Sequence, residues 1–246
     1  MPEISIKAEA LFHLGSFVVT NSILLSWVVF VIIVGIAFYL RNRISLIPGK
    51  LQSVFEMLME ELLKLMDNLI GDRRKSEQYL PLVMTIFLFV LVSNRLGLFP
   101  GVGTIGLYEG GHKFVPIFRA PTADLNFTVV LAMIAMIAVN FFGIVALGWK
   151  RHASKFFNFQ SPIMSFVGIL ELVSEFVKII SFSFRLFGNI FAGEVLLTIV
   201  GFLAPYFIPL PFLFLEVFVG FIQAFIFTML TIVFIAMSVS HEEHAH

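Results

Sequence analysis

Three stretches of the chain carry no Asp, Glu, Lys or Arg: residues 10–40, 78–94 and 125–149. A helix that crosses a bilayer needs roughly 20 apolar residues, with a range of about 17–25. The pattern therefore predicts single crossings at 18–40, 79–96 and 125–148. Runs this long do not suit helices buried in a soluble core. Residues 51–70 follow another rhythm. Glu56, Glu60, Lys64 and Asp67 recur at three- and four-residue spacing, while Phe55, Leu58, Leu62, Leu65, Met66 and Leu69 fall on the other side of a helix. Such an amphipathic helix suits the membrane interface, and Pro48-Gly49 and Gly71-Asp72 punctuate its ends.

The last third of the chain is unusual. Residues 160–240 hold only six charges. Ser161-Pro162 combines a capping residue with a first-turn proline, and no strong stop follows until Gly201 to Pro211, where Pro205, Pro209 and Pro211 cluster. A helix over 161–203 would measure about 60 Å at ~1.5 Å per residue. The hydrocarbon core is about 30 Å thick, so this helix must be steeply tilted, curved or broken. A second long helix over 212–239 returns from the proline cluster. The predicted fold is all-α: a polytopic membrane protein, one membrane domain over 1–246, with about five crossings, an interfacial amphipathic helix and a long, steeply tilted terminal hairpin.

Composition supports this. Hydrophobic residues make up 59% of the chain and charged residues 13%, against about 45–50% and about 25% in soluble domains. An ordinary cytosolic enzyme and a disordered chain are both excluded. Sixteen basic residues balance sixteen acidic ones, and with no basic cluster the chain has no character of a nucleic-acid binder. The absence of cysteine removes disulfides, thiolate metal sites and Cys nucleophiles. Met1-Pro2-Glu3 lacks the basic region of a signal peptide.

The distribution of Lys and Arg sets orientation. The segments around 41–75 and 150–155 hold ten (Arg41, Arg43, Lys50, Lys64, Arg73, Arg74, Lys75, Lys150, Arg151, Lys155), and the opposite side holds four (Lys7, Arg95, Lys113, Arg119). The ten-residue side is expected to be cytoplasmic, with the N-terminus outside and the C-terminus inside. A bacterial plasma membrane is favoured over a mitochondrial inner membrane. The tail His241-Glu242-Glu243-His244-Ala245-His246 reads as a solvated terminus rather than a metal site.

Six charges then remain in the terminal hairpin: Glu171, Glu175, Lys178, Arg185, Glu194 and Glu216. An ionisable residue at the bilayer centre costs a few kcal/mol, roughly 2.5–3.5 for Arg on insertion scales, and is a functional candidate by default. At 100° per residue, Glu171, Glu175, Lys178, Ser181, Arg185 and Asn189 share an arc of about 120°, and Glu194 lies on the opposite face. Glu216 and Gln223, seven residues apart, share a face of the return helix. Glu171, Glu175 and Lys178 are either an interfacial ion-pair cluster or part of a path. For Arg185 the nearest acidic residues are nine and ten positions away, off its face or beyond one turn. Arg does not lose its proton in proteins, so it cannot relay protons but can repel them and attract a carboxylate. Glu194 and Glu216 can gain and lose protons, and Asn189, Gln223, Ser181 and Ser183 can hold water.

The run from Ser183 to Glu194, Ser-Phe-Arg-Leu-Phe-Gly-Asn-Ile-Phe-Ala-Gly-Glu, resembles the signature of the a subunit of F-type ATP synthases. The run from Ile222 to Thr231 resembles that subunit's final helix, and Pro121-Thr122-Ala123-Asp124-Leu125-Asn126 the start of its fourth. The resemblance covers nearly the whole chain in order. It implies a non-catalytic stator subunit that binds no nucleotide or cofactor. Its partners would be a rotating ring of c subunits, the b subunits of a peripheral stalk, and membrane lipid. It implies transport of H+, with Na+ left open because the ring carboxylate lies in another chain. Arg185 matches the family's essential arginine, implied to hold the ring carboxylate deprotonated and to block leakage between two half-channels. Asn189, Glu194, Glu216 and Gln223 match positions along the outer half-channel, with Asp124 near its mouth. Glu171, Glu175, Lys178 and Ser181 would belong to the inner one. Family members often place histidine at one of the positions held here by Glu194 and Glu216. If these two carboxylates approach each other, they share a proton and titrate as a unit.

Other function classes fit less well. A self-contained cation channel or secondary transporter would need a pore or repeat within the chain, and no repeat is visible. An intramembrane hydrolase would need Ser–His or paired Asp, and the hairpin contains neither His nor Asp. A voltage sensor would need several spaced arginines.

Overall fold

The computed structural model describes residues 8–14, 17–99, 102, 105–109, 113–154, 156 and 162–239. Its elements, in order, are β1 (Ala10–Leu14), β2 (Phe17–Thr20), α1 (Asn21–Arg41), α2 (Lys50–Ile70), α3 (Arg73–Gly97), β3 (Gly106–Glu109), β4 (Lys113–Pro116), a 3-10 turn (Pro121–Ala123), α4 (Leu125–Leu147), α5 (Trp149–Ser154), α6 (Pro162–Leu203) and α7 (Pro209–Val239). Among the described residues α1, α3, α4, α6 and α7 are long and apolar enough to cross a membrane. The architecture is all-α and polytopic, with α2 as the amphipathic helix.

Local chemistry explains the boundaries. The Thr20 hydroxyl accepts from the Ile23 N–H, so α1 starts at Asn21 and residues 18–20 belong to a strand. Asp72 accepts from the Arg74 N–H at 2.9 Å and starts α3 at Arg73, ahead of the charge-free stretch. Asp124 caps α4 in the same way, at 3.0 Å from the Asn126 N–H. Gly148, at φ 81°, ends α4 in a conformation that only glycine adopts freely and turns the chain into α5. Two short antiparallel hairpins, β1–β2 and β3–β4, were not expected from the sequence. Strands of four or five residues carry too little alternation to stand out from an apolar background. Part of the glycine-rich 99–120 region thus has regular pairing. Ser161 and the His241–His246 tail lie outside the described residues.

Of the three ways to accommodate a long α6, breakage is absent: the helix runs 42 residues without interruption. At ~1.5 Å per residue this spans about 63 Å, which leaves tilt or curvature. α3, α4, α6 and α7 enclose the core around Phe87, Val90, Leu186, Ile190 and Phe227, where Ala132, Ala135 and Ala224 allow close approach of the helices. α1 is peripheral and buries only Asn21, Ser22, Leu25 and Val29. α2 seats Leu62, Leu63 and Met66 against Tyr79 and Val83 of α3 and Ile232 and Ile235 of α7. Its apolar stripe is therefore partly consumed by the protein, while Leu51, Val54 and Met57 stay exposed.

The α2–α3 corner is held by charge. Asp67 accepts from the Arg73 guanidinium at 2.7 Å, and this hydrogen bond holds its carboxyl below the usual carboxylate range. A carboxylate depressed in the folded state contributes stability above its unfolded pKa and loses it as pH falls through the folded value. Acidification from pH 6 to pH 3 is therefore expected to loosen this corner. Hydrogen exchange at residues 67–73 should show wild type better protected than Asp67→Asn at pH 6 and converging with it at pH 3. Equal exchange in the two proteins at pH 6 would refute this.

Candidate functional site

The polar residues of α6 face three neighbourhoods along its length. Toward its C-terminal end, Glu194 lines a cavity of about 320 Å³ together with Asn94 of α3, Arg119 of the loop after β4, Thr198 of α6 and Glu216 of α7. Glu216 is only 6% exposed. It lies across α6 at Gly193, where an added Cβ would collide with its carboxyl group. Arg119, itself buried, ion-pairs with Glu194 at 3.4 Å and sits over the Phe191 ring. The Thr122 hydroxyl donates to the Asn94 side-chain oxygen at 2.7 Å, and the Asn94 side-chain amide donates to the Gly220 backbone carbonyl at 2.8 Å. This ties α3, the 3-10 turn and α7 into one wall.

In the middle stands Arg185. Its guanidinium donates to the Ser181 hydroxyl one turn earlier, at 3.3 Å. Among the described residues no carboxylate forms an ion pair with it. One turn further on, the Asn189 amide donates to the Gln223 side-chain carbonyl of α7 at 2.7 Å. Gln223 is buried, whereas Asn189 and Ser181 are exposed. The apolar side chains beside this stretch, Val173, Val177, Ile180 and Phe184, are each at least half exposed.

Toward the N-terminal end of α6, Glu175 accepts from Lys178 at 2.7 Å and from the Asn140 amide of α4 at 3.2 Å. A second cavity, of about 270 Å³, is lined there by Asn140, Glu171, Glu175, Lys178 and Ser238. Glu175 and Lys178 form an ion pair, and Glu171 lines the same cavity beside them. Asp124 stands apart from both cavities. It is buried, caps α4 and accepts from the Ser22 hydroxyl at 2.7 Å, so its carboxylate is engaged in joining α1 to α4.

The two cavities lie on either side of Arg185 along α6. Glu175 is ten residues before it and Glu194 nine after it, about 15 and 13 Å at ~1.5 Å rise. Asn94, Arg119, Asn140 and His152 were not singled out from sequence. Arg119 counted only toward orientation, and a lone basic residue in a loop has no periodicity to reveal its partner. Asn94 and Asn140 sit inside apolar runs, where an isolated amide gives no signal beyond its own rarity.

The model of the family described as the ATP synthase A chain matches residues 23–236. The ATP synthase subunit a of Moorella thermoacetica is 34% identical over 231 residues, covering 94% of this chain and 96% of that protein. The subunit a of Campylobacter concisus is 35% identical over 218 residues, covering 87% and 88%. That of Campylobacter curvus is 32% identical over 244 residues, covering 99% and 100%. With five helices of membrane-crossing length, two cavities separated by one arginine, and this match over most of its sequence, the chain belongs to the ATP synthase A chain family as an integral membrane protein.

Proposed function

We propose that this chain is the proton-translocating stator subunit of an F-type ATP synthase, working against a ring of c subunits and held by the b subunits of a peripheral stalk. The outer half-channel is the cavity at Glu194 and Glu216, continued by Asn189 and Gln223, with Asp124 bracing its wall. The inner one is the cavity at Glu171, Glu175 and Lys178, leading to Ser181. Arg185 separates them. A proton entering from outside loads a ring carboxylate near Asn189, is carried round by rotation, and leaves on the cytoplasmic side when Arg185 draws that carboxylate into its ionised form. The chain itself holds no nucleotide or cofactor. The ion is H+, with Na+ requiring a different ring site.

One observation carries this reading. Arg185 has no carboxylate partner within the described chain, and the surface beside it is apolar and uncovered. A cation on a lipid-facing surface costs several kcal/mol unless something compensates it. A ring that is apolar outside and carries one carboxylate per subunit supplies both the cover and the counter-charge. The ten-to-four distribution of basic residues supports a cytoplasmic C-terminus. The family's bacterial relatives favour the bacterial plasma membrane.

The test is purification in mild detergent followed by reconstitution. A c-ring and stalk subunits are expected to accompany the chain, and the chain alone in proteoliposomes is expected to be ion-tight. A pure chain that conducts protons by itself would replace this reading with a self-contained channel.

A further inference from the structure

In sequence α2 reads as an interfacial helix on the strength of its apolar stripe, yet the fold spends most of that stripe on protein. Leu62, Leu63 and Met66 lie against α3 and α7, and Phe55 and Leu58 pack partly against the same cluster. The apolar surface left open lies earlier in the chain. It consists of Ile44, Leu46 and Ile47 in the loop between α1 and α2, and Leu51, Val54 and Met57 in the first two turns of α2. Leu46 and Ile47 are 104% and 88% exposed.

Hydrogen bonds within the loop hold this shape. The Gln52 side chain accepts from the Ser45 N–H at 3.3 Å and donates to the Ser45 carbonyl at 3.1 Å. The Ser45 hydroxyl donates to the Ile47 carbonyl at 2.7 Å. The polar groups of Ser45 are thus engaged inside the loop, and its apolar neighbours are left outside. Three basic residues, Arg41, Arg43 and Lys50, stand exposed in the same stretch, and no Asp or Glu occurs from 41 to 55. The Arg43 guanidinium sits over the Tyr39 ring, 5.6 Å from its centre, which keeps it beside the last turns of α1. Glu56, the first acid to follow, accepts from Gln52 at 2.8 Å. Further along, Glu60 and Glu61 pair with Lys64, and Asp67 with Arg73. The positive charge of the loop is therefore not matched by acids of its own segment.

The place of α1 says what this surface meets. α1 is of membrane-crossing length and ends at Arg41, so the loop that follows emerges at a bilayer surface. Large apolar side chains presented there leave water for lipid. Lys and Arg beside them keep their charged ends among the headgroups while their stems lie on apolar surface. We infer that residues 41–57 form a binding surface for anionic phospholipid, with Arg41, Arg43 and Lys50 among the phosphates and Ile44, Leu46, Ile47, Leu51 and Val54 among the acyl chains. A zwitterionic headgroup cancels its phosphate with its own ammonium, so three unopposed positive charges select the headgroup that carries a net negative charge. The N-terminal half of α2 is then held by the leaflet while its C-terminal half is held by α3 and α7. This assignment needs only that α1 crosses the membrane, and it is independent of the proton path.

The chain contains no cysteine, so Leu46→Cys takes a single fluorescent label. The labelled chain is assembled into the whole complex, with the cysteines of the other subunits replaced. The complex is then placed in vesicles of phosphatidylcholine and phosphatidylglycerol, one or the other carrying brominated acyl chains. Bromine quenches the label on contact. Both lipids are expected to quench, and phosphatidylglycerol at the lower mole fraction. A basic residue near a leaflet is worth about fivefold in partition before salt screens it. Arg43→Gln combined with Lys50→Gln is therefore expected to lower the phosphatidylglycerol preference at least about threefold, while quenching by phosphatidylcholine persists. Ile47→Cys, labelled in the same way, gives the same readout if the label at position 46 disturbs the loop. Quenching by neither lipid places water or another subunit over the loop and overturns the inference. Equal quenching by the two lipids around the unsubstituted loop overturns it as well, and so does a preference that survives the double substitution.

Discussion

Arg185→Ala is expected to abolish coupled ATP synthesis and to open a passive proton leak. The reason is quantitative. A ring carboxylate in an apolar setting favours its neutral form. A fixed cation about 4 Å away, at an effective dielectric of ~20, contributes about 4 kcal/mol in favour of the charged form. At ~1.36 kcal/mol per unit this is roughly three pKa units, enough to force release wherever the carboxylate meets the arginine. Removing the guanidinium removes both this driving force and the positive charge that stands between the two cavities. Arg185 is free to do this because its only bond within the described chain is to the Ser181 hydroxyl. Arg185→Lys keeps the charge but loses the planar fork and part of the reach, and should retain at most a small fraction of activity. The measurement is ATP synthesis under an imposed proton gradient, alongside passive proton flux. Wild-type synthesis in Arg185→Ala would refute the assignment.

Glu216→Gln is expected to lower ATP-driven proton pumping by at least about tenfold, in line with the loss of an acid–base group. Glu194, Glu216 and Arg119 line one cavity. Two carboxylates beside one guanidinium leave a single negative charge, which one shared proton neutralises. On the proposed function this is a loading site, which would take a proton from outside and give it up when a ring carboxylate arrives. Gln removes the spare charge while keeping the volume that fits against Gly193. The site is then neutral without a proton and has no reason to load one. Glu216→His, which restores a titratable group, should recover part of the rate. Pumping by Glu216→Gln that matches wild type across pH 6 to 8 would sink the shared-proton idea.

How far these sites could be read in advance depended on the range of the interaction. Glu171, Glu175, Lys178, Ser181, Arg185 and Asn189 share a stripe, and helical periodicity over 18 residues is enough to see it. That Arg185 lacks a carboxylate partner among the described residues also followed from counting, since the hairpin offers so few acids. By contrast, the pairing of Arg119 with Glu194 joins residues 75 apart in sequence. The bond between Asn140 and Glu175 spans 35. Nothing local at Arg119 or Asn140 announces such partners. Asp124 is the reverse case. Its motif is visible in sequence, but only the fold shows its oxygens bonded to the start of α4 and to Ser22.

The strand hairpins make the same point in the backbone. A crossing helix is announced by about twenty residues of one character, but β1–β2 and β3–β4 depend on a turn and on register between two four- or five-residue strands. The sequence alone therefore determined the crossings, the amphipathic helix, the length of α6 and the isolation of Arg185, because each is a sum over near neighbours along one helix. Tertiary structure decided which face of α6 meets Glu216, which loop residue pairs with Glu194, and that His152 reaches Glu175 through Asn140. Those contacts depend on how α3, α4, α5, α6 and α7 pack, and packing turns on small residues, such as Gly143 and Gly193, whose significance is the space they leave for someone else's side chain.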